Sequence, residues 1–135
     1  MTDFKFNASE VICNGVGGNG YSAVYKLKDQ IKDLVVGVRE DLGTETIYNT
    51  IIEQNPHEDF YVGSRFNDID SVVSRLATGL GNWAWKYFES EGLVEMRVLN
   101  ILETISKEDA ITIVIDAHRC CASADHWYTF EKDWG

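Results

Sequence analysis

The chain has 135 residues, of which 44% are hydrophobic and 12% aromatic, which is enough apolar material for one domain with its own core. It carries 22 acidic and 12 basic residues, so its formal net charge is −10 at pH 7. A field of that sign repels phosphate backbones and anionic lipid. The composition therefore argues against direct binding to nucleic acid or to a membrane. A negative field attracts basic protein surfaces, but taken alone this charge is more typical of a protein that is acidic simply for solubility.

Cysteine content and the N-terminal residues predict a soluble protein in the reducing cytoplasm. The three cysteines, Cys13, Cys120 and Cys121, are odd in number and two are adjacent, so they do not make a disulfide framework. The first ten residues lack the apolar segment of a signal peptide, and no apolar run approaches the roughly 20 residues of a membrane span. Because no linker or internal repeat interrupts the chain, residues 1–135 are predicted to form a single domain.

Residues 3–39 are predicted to form β-strands. Apolar and polar side chains alternate around residues 21–27, which is the period of a strand. Residues 14–20 contain two Asn-Gly pairs, which favour a tight hairpin turn. The short apolar run at residues 31–38 fits another strand.

Two segments carry helical patterns. Residues 46–54 fit a short helix that ends before Asn55 and Pro56. The stronger pattern lies at about 68–89, where apolar residues recur at three- and four-residue spacing, and Asn67 or Asp68 can cap its start. The apolar residues of this pattern are Ile69, Val72, Val73, Leu76, Leu80, Trp83, Ala84 and Tyr87.

The C-terminal third is predicted to be mostly strand. Residues 93–105 fit both a strand and a helix, and we favour a strand because a short turn then leads into residues 110–116, which are rich in β-branched side chains. Residues 126–131 are predicted to form a last strand. The predicted fold class is therefore α+β: a mostly antiparallel sheet with one main amphipathic helix (about 68–89) packed across it, plus a short helix near 46–54.

Metal-ligand residue types are crowded between residues 116 and 126. On an extended strand, Asp116, His118 and Cys120 would share one face and His126 could return opposite them, a set that suits tetrahedral zinc. The spacing matches no standard zinc motif. The same segment contains the residue types of a cysteine–histidine nucleophile pair, although acidic neighbours oppose the thiolate that such a pair needs. A metal-dependent enzyme built on residues 116–126 is one alternative function.

The glycine cluster suggests a second alternative, the binding of a nucleotide or another anion. Its G-x-G-x-x-G spacing is not followed by a helical pattern, as a dinucleotide-binding fold requires, so no cofactor is predicted. Backbone N–H groups of the loop could still hold an anion together with arginine side chains. The residues assigned to this site are Gly17, Gly18, Arg65, Arg97 and Arg119.

Aromatic residues stand beside acidic ones at 83–91 and at 125–134. Exposed aromatic side chains anchor protein interfaces, and carboxylates steer basic partners towards them. The sequence therefore favours a small acidic, non-catalytic protein of inhibitor, immunity or counter-defence type, which occludes a basic surface of a partner protein, for example one that binds nucleic acid. The predicted partner-binding residues are Trp85, Glu89, Glu91, Trp127, Glu131, Asp133 and Trp134.

Overall fold

The computed structural model describes residues 6–11, 19–57, 60, 64–88 and 90–122 of the 135-residue chain. These residues form helices joined by short connections, and they contain no β-strand. The predicted α+β class, with its mostly antiparallel sheet, is therefore wrong: the described fold is all-helical. The predicted strand at 126–131 and most of the predicted glycine turn, residues 14–18, lie outside the described residues.

Seven α-helices follow one another in the described part of the chain. They are α1 (Asn19–Val24), α2 (Lys28–Leu42), α3 (Thr44–Gln54), α4 (Ser64–Asn67), α5 (Ile69–Phe88), α6 (Glu91–Thr104) and α7 (Lys107–Ala122). One-turn 3-10 helices stand at Ala8–Glu10 and Tyr25–Leu27.

Helix α2 forms where the sequence predicts a strand, because its apolar residues also recur at helical spacing. Ile31, Val35 and Val38 are buried on one side of the helix. Val24 and Leu27 continue the same three- and four-residue spacing and are buried as well. The alternation around residues 21–27 is therefore a weaker signal than this longer helical pattern.

Gly43 separates α2 from α3. Its backbone has φ 84° and ψ 147°, a conformation that favours glycine. Its N–H donates to the Arg39 carbonyl at 2.8 Å, and its carbonyl accepts the N–H of Ile47 at 3.1 Å. One residue thus ends α2 and begins α3. The helix predicted near 46–54 is confirmed, with its start at Thr44.

Helix α5 confirms the predicted main helix at about 68–89 and lies at the centre of the fold. Asp68 caps it: Oδ1 accepts the N–H of Asp70 at 3.3 Å, and Oδ2 accepts the Ser71 hydroxyl at 2.8 Å. Ten of its 20 residues are buried, because α1, α2, α4, α6 and α7 all pack against it. The helix predicted to pack across a sheet is therefore surrounded by other helices instead.

Helices α6 and α7 occupy the segments predicted as strands at 93–105 and 110–116. The β-branched residues Ile113, Val114 and Ile115 are buried in α7, because α2, α3, α4, α5 and the turn at Ala8–Glu10 enclose that helix. Packing on several sides thus overrides their preference for strands. The Ser106 hydroxyl accepts the N–H of Asp109 at 3.1 Å and so starts α7 as a helix.

The buried side chains form two adjoining hydrophobic clusters. The larger cluster is built on α5 and includes Leu76, Leu80 and Trp83. The smaller cluster joins α3, α4 and α7 through Ile47, Ile51, Phe66, Ile115 and Ala122. Because α7 contributes to both clusters, it links them. Across the described residues, no helix has both the length and the apolar character that a bilayer crossing demands.

Candidate functional site

Half-buried Arg39 and buried His118 form a polar junction between α2 and α7. Arg39 Nε donates to His118 Nε2 at 3.1 Å, and Arg39 Nη2 donates to the Phe66 carbonyl at 2.8 Å. His118 Nδ1 lies 2.8 Å from the Val114 carbonyl, and it donates there because Nε2 already acts as an acceptor. The Phe66 ring packs edge-on against the imidazole, with centroids 5.3 Å apart. The Arg39–His118 junction therefore ties α2, α4 and α7 together.

The imidazole of His118 is neutral in this junction. Its side chain is fully buried, and burial lowers its pKa to about 4. The hydrogen bond to the Val114 carbonyl raises the pKa, and the charge of Arg39 lowers it further. Burial also lowers the pKa of Arg39, although an arginine remains charged in a protein. The junction thus contains one cation, the Arg39 guanidinium, which donates its hydrogen bonds to neutral acceptors.

The outward side of α2 carries three carboxylates that we name the α2 acidic face: Asp29, Asp33 and Glu40. All three are exposed, lie within about 40° of one another around the helix axis and span about 16 Å along it. None forms an ion pair with another described residue, although exposed Lys32 borders the face. Because Arg39 points into the junction, its charge is withdrawn from this surface.

A groove of about 340 Å³ runs along α6 to the start of α7, and we name it the α6 groove. Its polar lining residues are Arg97, Asn100, Thr104, Ser106 and Asp109. Its apolar lining residues are Phe6, Ile101 and Ile105. The guanidinium of Arg97 lies over the Phe88 ring, 5.3 Å from its centroid. The lining thus includes one arginine, Arg97, and one aspartate, Asp109.

Phe6 is the residue of the described segment 6–11 that lines the α6 groove. Phe6 packs edge-on against Trp83 with centroids 5.1 Å apart. Glu10 Oε1 accepts hydrogen bonds from Trp83 Nε1 at 3.2 Å and from the Tyr87 hydroxyl at 3.0 Å. The bond to Glu10 raises the pKa of Tyr87. These contacts hold Phe6 in place against α5.

The predicted metal residues Asp116, His118 and Cys120 lie on α7, so the strand geometry assumed for them is wrong. Asp116 and Cys120 are one helical turn apart, whereas His118 belongs to the Arg39–His118 junction. Within the described ranges no three His, Cys, Asp or Glu residues form a group that could hold a metal ion, and His126 lies outside those ranges. Burial raises the pKa of Cys120 to about 12, with a further contribution from Asp116, which disfavours a thiolate.

The predicted anion-binding arginines do not converge. Arg97 lines the α6 groove, whereas Arg119 lines a second groove of about 350 Å³ beside α3 and α7. Arg119 Nε donates to Asp116 Oδ1 at 2.9 Å in that second groove. Each of these arginines therefore shares its groove with a carboxylate. Gly17, Gly18 and the side chain of Arg65 lie outside the described part of the structure.

The predicted partner-binding residues fall into three groups. Trp85 is half-buried and packs against the larger hydrophobic cluster. Glu91 is exposed in the first turn of α6. The others lie outside the described residues: Glu89, Trp127, Glu131, Asp133 and Trp134.

Sequence reasoning missed the α2 acidic face, the α6 groove and the Arg39–His118 junction. The helical spacing of Asp29, Asp33 and Glu40 was a usable signal once α2 is treated as a helix. Ser106 and Asp109 have the spacing of a helix-capping pair before an apolar run. The junction joins residues that are 79 positions apart in the sequence, so no local pattern predicts it.

Comparison of the chain with family models, with curated protein sequences and with solved structures finds no match. Its function is therefore inferred from the geometry and chemistry of the described residues.

Proposed function

We propose that this chain is a small acidic, non-catalytic binding protein that covers a basic surface of a partner protein, such as the surface with which that partner holds nucleic acid. The α2 acidic face is the observation that carries the proposal. It offers three exposed carboxylates that form no ion pair with a described base. Such a row attracts lysine and arginine side chains of a partner.

The inward turn of Arg39 supports this function. Helix α2 contains the bases Lys28, Lys32 and Arg39, and only Arg39 lies in its C-terminal half. Since Arg39 bonds to His118 and to the Phe66 carbonyl, the outer surface there presents Glu40 and no arginine. The exposed side of α2 therefore carries a more negative charge than the count of charged residues in α2 indicates.

An aromatic side chain stands at one end of the α2 acidic face. Tyr25 is 55% exposed, and the Lys28 ammonium lies 5.1 Å from its ring centroid. A tyrosine beside a charged face can anchor an interface through its ring while the carboxylates set orientation. We assign the binding surface to Tyr25 and the α2 acidic face. The surface predicted at Trp85, Glu89, Glu91 and the C-terminal residues remains a further prediction.

The proposal is tested with a lysine- and arginine-rich peptide bound to a fluorescent single-stranded oligonucleotide. We expect this chain to bind the peptide and release the oligonucleotide, with a strong dependence on salt. The triple variant Asp29→Asn, Asp33→Asn and Glu40→Gln should need at least about ten times more protein for the same release, which corresponds to about 1.4 kcal/mol. Fluorescence anisotropy measures the released fraction.

A matched variant carries the same change in net charge on three other helices. Glu53→Gln, Glu103→Gln and Glu108→Gln alter exposed carboxylates of α3, α6 and α7. The amount of this control variant needed for the same oligonucleotide release should stay within about threefold of the amount of unmodified chain. Equal losses in the two variants would show that overall charge, and not the α2 acidic face, drives binding, and would overturn the proposal.

A further inference from the structure

Asp109 brings to the α6 groove a carboxylate that has no partner among the described residues. The residue is half-buried in the first turn of α7, and its backbone N–H donates to the Ser106 hydroxyl at 3.1 Å. Its carboxylate accepts no hydrogen bond and forms no ion pair within the described part of the chain. Lys107, two residues away, pairs with Asp41 instead. A half-buried carboxylate in this state favours a cationic ligand from outside the chain.

The C-terminus of α6 adds a second electronegative feature to the same groove. Thr104 is the last residue of α6, and Thr104, Ile105 and Ser106 all line the groove. The Ile101 carbonyl accepts the Ile105 N–H at 2.8 Å, but the carbonyls that follow it in α6 accept no N–H from the described backbone. Aligned peptide dipoles give such a terminus a partial negative charge. All of α6 is described, and its last turn contains no basic residue to complement this charge.

The positive charge in the lining already has a partner. Arg97 is the base among the described lining residues, and its guanidinium lies over the Phe88 ring, 5.3 Å from the centroid. Phe88 is not one of the lining residues. The charge that lacks a partner in the groove is therefore negative. Because the whole chain also has a net charge of −10, its field favours a positively charged ligand.

The rest of the lining suits a ligand with an apolar group. Ile101 and Ile105 are one helical turn apart, and the Phe6 ring is fixed by its edge-on contact with Trp83 at 5.1 Å. Exposed Asn100 offers its side-chain carbonyl as a further acceptor. The volume of about 340 Å³ lies within the range of small-ligand sites. A compact amine with one apolar group therefore matches both the size and the chemistry of the groove.

We infer that the α6 groove binds a small organic amine as its ammonium ion, with the ammonium at the Asp109 carboxylate and the C-terminus of α6. An ammonium ion of this kind has three N–H donors, and the groove offers acceptors for them on Asp109, Asn100 and the end of α6. The apolar group of the amine packs against Phe6, Ile101 and Ile105. This site is separate from the α2 acidic face.

The probe is phenylethylamine, which is protonated at pH 7, titrated into the nitrogen-15-labelled full chain and followed by NMR. We expect saturable shifts of the Asn100, Thr104 and Ser106 amides, with a Kd of about 1 mM. Phenylethanol, which has the same ring but no charge, should bind about ten times more weakly. Ethylamine, which keeps the ammonium but lacks the ring, should also bind about ten times more weakly, because it buries less apolar surface. Phenylpropionate, an anion with the same ring, should give no saturable shifts.

Two variants locate the bound ammonium. Asp109→Asn should weaken phenylethylamine binding about tenfold, because it removes the charge-assisted contact. Phenylethanol should bind this variant as it binds the unmodified chain, which shows that the groove is intact. Glu108→Gln removes the same charge from an exposed residue outside the groove and should leave phenylethylamine binding unchanged.

Three results would overturn the inference. They are equal weakening of phenylethylamine by Asp109→Asn and Glu108→Gln, equal affinities of the unmodified chain for phenylethylamine and phenylethanol, and the absence of saturable shifts at the groove amides. None of these results bears on the α2 acidic face, which is tested with a different ligand and different variants.

Discussion

Arg39 and His118 show how one pair of polar side chains can hold three helices. The Arg39 guanidinium donates hydrogen bonds to His118 Nε2 and to the backbone carbonyls of Phe66 and Asn67. None of these acceptors is therefore buried without a partner. An unsatisfied buried polar group costs about 1–3 kcal/mol. The junction is therefore favourable only while His118 Nε2 keeps its lone pair.

Protonation of His118 should make the stability of the protein depend on pH. The folded pKa of about 4 lies below the ordinary value of 6.5, so the unfolded chain binds this proton first as the pH falls. The stabilising contribution is full above pH 6.5 and is lost as the pH falls through 4. Between pH 7 and pH 5 we expect the free energy of unfolding to fall by about 2 kcal/mol from this group, measured by urea denaturation.

The variant His118→Gln is the control for this pH dependence. It removes the titrating group, while the other two histidines, His57 and His126, are present in both proteins and cancel in the comparison. Its free energy of unfolding should be lower at pH 7 but should change less between pH 7 and pH 5. Parallel pH profiles for the two proteins would refute the assignment of this effect to His118.

At the scale of the helices, the stability of the protein should be sensitive to substitution of Gly43, the one residue between α2 and α3. A side chain there meets no neighbouring atom within 4 Å, but φ 84° with ψ 147° is a conformation that L-residues rarely adopt. Gly43→Ala should therefore lower the free energy of unfolding by about 1–3 kcal/mol through backbone strain alone. Chemical denaturation measures this loss.

Gly37 provides the opposite case within α2. It also has open space for a methyl group, but it lies inside the helix, and no positive φ is found there. Gly37→Ala should raise the free energy of unfolding by about 0.5–1 kcal/mol. A loss at both positions, or a gain at both, would contradict the backbone explanation.

The helices that could be predicted from sequence are those with local boundary signals. Helix α5 has a periodic apolar face and the cap at Asp68, and α3 ends before Asn55 and Pro56. Helix α7 could not be separated from a strand by propensity, because a buried helix is apolar on several sides and loses its polar stripe. Its capping pair, Ser106 and Asp109, was the more reliable evidence.

The sites were harder to predict than the helices, because most of them join residues that lie far apart in the sequence. The α2 acidic face lies within one helix, so a correct helix assignment reveals it. The α6 groove brings Phe6 against residues 97–109, and the Arg39–His118 junction joins positions 79 apart. Such pairings depend on how helices pack, which a single sequence does not encode in any local pattern.

On the scale of the whole molecule, the net charge of −10 should make stability depend on ionic strength. Like charges on the surface repel one another, and the unfolded chain relieves this repulsion. Raising NaCl from 10 mM to 150 mM shortens the Debye length from about 30 Å to about 8 Å. We expect the thermal midpoint to rise by about 4 °C, which corresponds to roughly 1 kcal/mol.

The variant Glu53→Gln, Glu103→Gln and Glu108→Gln tests the origin of this salt effect. With three fewer negative charges, its thermal midpoint should respond less to NaCl than that of the unmodified chain. A fall in the midpoint with added salt would instead mean that attractive ion pairs dominate. The ion pair of Lys107 with Asp41, at 4.0 Å between exposed side chains, is too weak for that.

The central position of α5 has a consequence for how the protein is made. During synthesis at about 5–20 residues per second, α1 to α3 leave the ribosome seconds before α5 does. Ile31, Val35 and Val38 then lack the cover of α5, the helix with which α2 has its most extensive contacts, because α5 has not been translated. The nascent chain must pass this interval with its apolar residues open to chaperones, and its interior assembles only after residue 88 has emerged.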